Sequence, residues 1–261
     1  MSAPAVELRH VTHTYGTTPA VADVSLDVSA GDFVSIVGPS GCGKSTLLKV
    51  LAGLLAPTSG TAAIQGASTI DRPGLAGYMP QRDLLLPWKR AIDNATLGAE
   101  LGDRRATKAE ARQRALELFE RFGLAGFEQS WPSELSGGMR QRLALLRTFL
   151  TGSRVLLLDE PFGALDAITR RDLHDWLQAL WIDHLGESVP RSALFITHDV
   201  DEALVLSDVV HVMSARPGRI VDTVTVDEQR PRPASVTTSA AFIRNKARLL
   251  DSLDRGRATT H

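Results

Sequence analysis

Residues 38–46 read Gly-Pro-Ser-Gly-Cys-Gly-Lys-Ser-Thr, between the apolar run Phe33-Val-Ser-Ile-Val37 and the helix-like stretch Thr46-Leu-Leu-Lys-Val-Leu-Ala52. A strand, a glycine-rich turn and a helix start are the context that gives the pattern G-x-x-x-x-G-K-[ST] its meaning as a phosphate-binding loop. Glycines let the backbone curl close to an anion, so that successive N–H groups point inward. The helix N-terminus adds a partial positive charge at the same place. Gly38, Pro39, Ser40, Gly41, Cys42, Gly43, Lys44, Ser45 and Thr46 are therefore the candidate phosphate-binding residues. Lys44 is expected to bridge the outer phosphates, and the Ser45 hydroxyl to hold Mg²⁺.

The 261 residues suffice for one large domain, or a core with a smaller lobe. A formal net charge of -1 gives no reason to expect a nucleic-acid partner held through its phosphates. Cys42 is the only cysteine, so no disulfide forms within the chain and the cytosol is the natural compartment. The first ten residues have no apolar core of signal-peptide length, and no run of about 18 apolar residues occurs, so the chain is not expected to span a membrane itself.

Residues 5–14 and 20–29 alternate apolar and polar positions, as two strands of an antiparallel unit would. Residues 61–65 and 75–79 read as short strands, and Gln81 follows Pro80 on a loop. The first helix is expected to run until Pro57-Thr-Ser-Gly60. From about 90 to 150 charged residues and alanine dominate, with Ala111, Ala115, Leu118, Phe119 and Phe122 at helical spacing. That block reads as a helical lobe inserted in an α/β core. Val155-Leu-Leu-Leu158 is a continuous apolar run, as expected of a central parallel strand covered on both faces. Residues 193–196 and 209–213 are further strands beside helical sequence, which argues for a mostly parallel sheet. The expected division is 1–228 as one domain, with the helical lobe of about 90–150 inserted in it, and 229–261 as a partly helical tail, with helix over 241–253.

Asp159 and Glu160 close the 155–158 run, where α/β sheets place their ligands. Successive strand residues point to opposite sides, so the two acids can take different tasks. Asp159 suits the Mg²⁺ shell, and Glu160 suits polarisation of an attacking water. In Leu135-Ser-Gly-Gly-Met-Arg-Gln-Arg142, Ser136 can cap a helix beginning near Met139, while Gly137 and Gly138 let a backbone approach closely. The result is a second anion-receiving helix start. Cys42 reads as a small residue packed under the phosphate loop, although a thiol beside a helix N-terminus can be reactive and its alkylation is then expected to block ATP binding.

Phosphate loop, Gln81, Leu135–Gln141, Leu156-Leu-Leu-Asp-Glu-Pro161, Ala164-Leu-Asp166 and Thr197-His198-Asp199, in that order, resemble the nucleotide-binding subunit of an ATP-binding-cassette transporter over residues 5–225. Within that family, Leu84-Leu-Leu-Pro-Trp88 and Ser214-Ala-Arg-Pro-Gly-Arg219 are similar to subunits that energise nitrate, sulfonate and taurine importers. Cassettes of pyrimidine-type vitamin-precursor importers are similar too, and a soluble cassette ATPase outside transport is the third reading. The resemblance implies an α/β P-loop NTPase core, an antiparallel β subdomain and an inserted α-helical subdomain. It further implies a head-to-tail homodimer with two ATP molecules between the copies, each touching the phosphate loop of one and Leu135, Ser136, Gly137, Gly138, Met139, Arg140 and Gln141 of the other. By the same resemblance, Tyr15 stacks on adenine, Gln81 senses Mg²⁺ and water, His198 touches the γ-phosphate, and Asp166 communicates across the dimer. An integral membrane permease and, indirectly, an extracytoplasmic binding protein are the implied partners, and the cytoplasmic membrane face the implied location. Trp88 is expected either to meet the permease or to anchor the helical lobe. Leu145-Leu-Arg-Thr148 and a slightly long 183–192 segment depart from the family's common form, the first expected to alter packing more than chemistry.

Overall fold

The computed structural model describes residues 3–101, 107–163, 165–185 and 191–258. In chain order the elements are β1 (Val6–Tyr15), β2 (Thr18–Val28), β3 (Phe33–Val37), α1 (Lys44–Leu51), β4 (Ser59–Ile64), β5 (Ala67–Ser68), β6 (Gly77–Met79), α2 (Ala91–Leu101) and α3 (Lys108–Arg121). They continue with α4 (Gly137–Phe149), β7 (Val155–Asp159), α5 (Ala167–Leu185), β8 (Ser192–Thr197), α6 (Val200–Leu206), β9 (Val209–Met213), β10 (Ile220–Thr225) and α7 (Ala240–Ala258).

The strands form two sheets. One is antiparallel, in the order β2-β1-β4-β5; the other runs β10-β9-β3-β8-β7-β6 and is parallel except for β10. Every residue of β3, β7 and β8 is buried, because both faces of this sheet are covered. Alternation still sorts their side chains. Phe33, Leu156, Leu158, Ala193 and Phe195 join the core under α2–α5, whereas Val34, Ile36, Val155, Leu157, Leu194 and Ile196 join α1 and the antiparallel sheet. Trp181 of α5 meets Phe33 edge-on at 5.0 Å and donates its indole N–H to Gly31 O at 3.2 Å. A third core gathers Val37, Val210, Val212 and Val224 with Ala203 and Leu204 of α6 and Phe242 and Leu249 of α7.

Between β6 and β7 the chain is helical, with α2 packed on both α3 and α4. Thr107 opens α3 with a reciprocal cap: its hydroxyl accepts from Glu110 N at 3.3 Å, and the Glu110 carboxylate accepts from Thr107 N at 2.8 Å. Ala111, Ala115 and Phe119 face inward, as their spacing predicts.

Several boundaries differ from the sequence expectation. The first helix starts at Lys44 and ends at Leu51, well before Pro57, because Gly53 adopts φ +71 with the Arg72 backbone 2.7 Å from where a Cβ would stand. Pro19 lies inside β2 opposite Thr14, which a strand at a sheet edge tolerates. The tail helix spans 240–258 instead of 241–253, held by Arg248 and Ser252 on Asp222. Trp88 is 69% exposed, so it does not anchor the helical block. The central part of the long 183–192 segment and Ala164 lie outside the described residues. Among the described residues no helix is long and apolar enough to cross a membrane.

Candidate nucleotide-binding site

The loops leaving β3, β6, β7 and β8 at their carboxyl ends carry the phosphate loop, Gln81, Glu160 and His198. Between the phosphate loop and Gln81 lies a cavity of about 280 Å³, lined by Ser40, Gly41, Gly43, Lys44, Ser45, Thr46, Gln81, Glu160 and Arg216. Gly43 caps α1 at φ +105 and has no side chain to bond the first turn, which leaves those N–H groups without a side-chain cap. A Cβ at Gly43 would stand 2.4 Å from Val21 Cγ1, so no other residue fits.

Lys44 is buried, and its Nζ donates to Gly38 O at 2.8 Å and Pro39 O at 3.0 Å. The ammonium is thus curled into the loop's own carbonyls. The Ser45 hydroxyl donates to Asp159 Oδ1 at 3.0 Å across 114 residues of sequence. Burial raises the Asp159 carboxyl above the usual range; the Ser45 bond opposes this, and neighbouring Glu160 adds to it. Cys42 is 1% exposed, and burial pushes its thiol up, with the nearby Lys44 ammonium only partly offsetting the effect. This burial agrees with the reading of Cys42 as a small residue packed under the loop, where desolvation disfavours the thiolate.

Glu160 leaves β7 in the left-handed region at φ +47, which turns its side chain away from that of Asp159. Its Oε2 accepts from Gln81 Nε2 at 3.0 Å and stands 3.5 Å from His198 Nδ1. Glu160 and His198 also share a cleft with Phe162, Gly163, Arg170, Thr197, Asp199 and Glu202. Tyr15 is half exposed at the end of β1; its hydroxyl lies 3.5 Å from Thr46 Oγ1, and His13 packs edge-on against its ring at 4.5 Å. One open aromatic face therefore borders the loop.

Leu135–Gln141 does not line this cavity in the same chain. Ser136 caps α4 by accepting from Met139 N at 3.2 Å, and the helix begins at Gly137, two residues before the expected Met139. Leu135 and Gln141 are buried, while Arg140 is spent on Leu135 O at 2.7 Å and Asp83 Oδ2 at 3.2 Å. Asp166 caps α5, accepting from Ile168 N at 3.1 Å and Thr169 N at 3.0 Å, and these bonds hold its carboxyl below the usual range.

Sequence reasoning passed over four residues near the site. Arg147 of α4 donates to Leu84 O at 2.8 Å and Asp83 O at 2.5 Å, so it ties down the loop after Gln81. His174 of α5 meets Glu202 of α6 at 2.8 Å, and Arg170 reaches Asp199 at 3.5 Å, joining α5 to the turn behind His198. Arg216 enters the cavity from the turn after β9. Its presence in the 214–219 motif was the available signal.

A model of the ABC transporter family matches residues 21–163. An aliphatic sulfonates import ATP-binding protein of Rhodococcus jostii is 44% identical over 95% of this chain and 93% of its own length. A taurine import ATP-binding protein of Yersinia pestis is 39% identical over 82% of this chain and 81% of its own. The dimeric structure of MJ0796, a bacterial ABC transporter cassette, superposes with a TM-score of 0.75 at 30% identity, covering 86% of this chain and all of that one. A post-hydrolysis dimer of the same cassette, bound to ADP and Pi, is similar to the same degree, with a TM-score of 0.75 at 29% identity.

Proposed function

This chain belongs to the ABC transporter family as an ATP-hydrolysing cassette, and we propose that it energises import of small sulfonate- or taurine-type solutes through a separate membrane permease. The observation that carries the ATPase part is that Lys44, Ser45, Gln81 and Glu160 line one cavity, with Asp159 bonded to Ser45 and His198 3.5 Å from Glu160. The import names of the R. jostii and Y. pestis relatives support the solute class.

In this reading Lys44 leaves the carbonyls of Gly38 and Pro39 to bind the outer phosphates of ATP, and the first turn of α1 receives the remaining oxygens. Tyr15 stacks on the adenine, a contact worth about 1–3 kcal/mol. Glu160 orients the attacking water and takes its proton, while Gln81 and His198 fix the carboxylate's direction. The donors at Ser45, Asp159 and Gln81 are hard oxygens, and no cluster of three or more His, Cys, Asp or Glu able to hold a metal occurs among the described residues. Those hard oxygens fit Mg²⁺, which is usually held through one or two carboxylates and completes its shell with phosphate and water. When bound, it neutralises charge developing on the phosphates.

Leu135–Gln141 lies away from this cavity, and a head-to-tail second copy would bring those residues onto the nucleotide. ATP binding then closes the pair, with Asp166 of each copy at the seam, and phosphate release reopens it. The permease would dock in the 340 Å³ groove lined by Tyr78, Leu86, Leu97, Gly98, Arg147 and Thr148, beside exposed Trp88, on the cytoplasmic face of the membrane.

The test is uptake of labelled taurine, an alkanesulfonate, nitrate and a hydroxymethylpyrimidine in cells whose native chain carries Glu160→Gln. Loss of taurine or alkanesulfonate uptake is the expected result. Unchanged uptake of both overturns the solute class, and failure of any membrane protein to co-purify with the chain overturns the permease reading.

A further inference from the structure

Residues 214–219 form a turn clamped to the back of the phosphate loop. Gly218 N donates to Ala20 O at 3.0 Å, and Ala22 N donates to Gly218 O at 3.0 Å. Gly218 sits so close to the loop that a Cβ there would stand 2.1 Å from Cys42 O. Inside the turn the Ser214 hydroxyl donates to Ala215 O at 3.0 Å and accepts from Arg219 N at 3.0 Å, while Ser214 N donates to Arg219 O at 2.9 Å. From outside, Gly256 near the end of α7 accepts from Ala215 N at 3.1 Å. The backbone is therefore held on three sides before any ligand arrives.

The tip of this turn is Arg216, an exposed residue that lines the cavity together with Ser40, Gly41 and Lys44. The other cation of that lining, Lys44, is already bonded to Gly38 and Pro39 carbonyls. Arg216 enters no ion pair or side-chain hydrogen bond among the described residues, unlike Arg140, Arg147 and Arg170. A guanidinium carries its donors in a planar fork that matches two phosphate oxygens, and a fixed backbone lowers the entropy lost on engaging them.

We propose that Arg216 is a nucleotide-contacting residue that donates to the outer phosphates of ATP from the β9 side, opposite Glu160 and His198. The proposal rests on the ATP site described above. It also gives the tail helix a purpose, because α7 braces the turn that presents Arg216.

The experiment is titration of the purified full-length chain with a non-hydrolysable ATP analogue, ADP and adenosine, comparing wild type, Arg216→Ala, Arg216→Lys and Lys44→Ala. Arg216→Ala is expected to weaken the analogue and ADP about tenfold, with adenosine unchanged, since only the phosphates lose a partner. Arg216→Lys should recover part of that loss, as a point charge without the fork. Wild-type affinity in Arg216→Ala beside a large loss in Lys44→Ala overturns the proposal and leaves the ATP site intact. No change in either variant overturns the site as well. Wild-type affinity with weakened ATP-dependent pairing of two copies, read by light scattering, also overturns the proposal and assigns Arg216 to the seam instead.

Discussion

Gln81 Nε2 donates to Glu160 Oε2 at 3.0 Å, linking the loop after β6 to the residue that closes β7. The contact places the amide of the loop after β6 directly on the carboxylate proposed to activate water.

Replacing Glu160 with Gln keeps the shape of that contact and removes the base. Phosphate release is expected to fall about 10²–10⁴-fold, with ATP affinity retained because Lys44 and the first turn of α1 are untouched. Steady-state phosphate release beside equilibrium nucleotide binding measures both. Near-normal turnover would reassign the base.

The parts of the site that were legible in sequence are those carried by contiguous residues. Phe33–Thr46 and Val155–Glu160 each carry a strand, the turn that leaves it and the proposed chemistry in a single stretch, so a local pattern suffices to find them. The parts that were not legible are pairings over distance. Arg147 holds residues 83–84 from over sixty positions away, and His174 meets Glu202 from another helix, and neither spacing announces a partner. Two elements were missed for a different reason. In α5, Leu173, Leu177, Leu180 and Trp181 are buried but Ile168 is 76% exposed, which blurs the apolar stripe. In β10, Asp222 and Thr223 interrupt the alternation because they serve α7 and His211 instead of a core.

The α5–α6 junction gives a second prediction. Glu202 is buried and is the acceptor facing His174 at 2.8 Å, while Asp199 caps α6 through Asp201 N and Glu202 N at 2.9 and 3.1 Å. Glu202→Ala leaves the half-buried His174 imidazole without this partner, and is expected to cost about 1 kcal/mol in urea unfolding. Glu202→Gln keeps an acceptor and should cost less. Because His198 precedes this turn, the Ala variant should also turn over more slowly at unchanged ATP affinity. A drop in affinity of similar size would point to general misfolding instead.

Acid should loosen the β9–β10 edge in two stages. His211 lies buried between these strands, its Nδ1 2.9 Å from Thr223 Oγ1, and burial pushes its imidazole down to about 4. The unfolded chain takes up that proton near pH 6.5, so stability falls as pH drops from there towards 4, by about 3 kcal/mol across the window. Asp222, bonded by Arg248 and Ser252, is held down to about 2, so its contribution is kept above the ordinary aspartate range and lost between about pH 4 and 2. Urea midpoints between pH 7 and 4 should decline in the native chain and flatten in His211→Gln. An equal decline in both would remove His211 as the cause.

Arg232 supplies the last test, since it couples the start of the tail to α6. The residue is 2% exposed, and its guanidinium donates to Leu204 O at 3.1 Å, Val205 O at 3.2 Å, Ser207 O at 2.7 Å, Glu228 O at 2.7 Å and Val226 O at 3.4 Å. Three of those carbonyls belong to the end of α6, which has no side-chain cap of its own there, so the arginine completes the helix from outside. Burial lowers the guanidinium to about 10, still high enough to remain charged at neutral pH. Arg232→Met fills the space but orphans the carbonyls, and is expected to cost about 3 kcal/mol or more in urea unfolding. Arg232→Lys has three donors on one atom where five carbonyls are spread around a plane, so it should fall between the two. If the Met variant unfolds within about 0.5 kcal/mol of the native chain, the change is no larger than an ordinary surface substitution, and Arg232 does not cap α6.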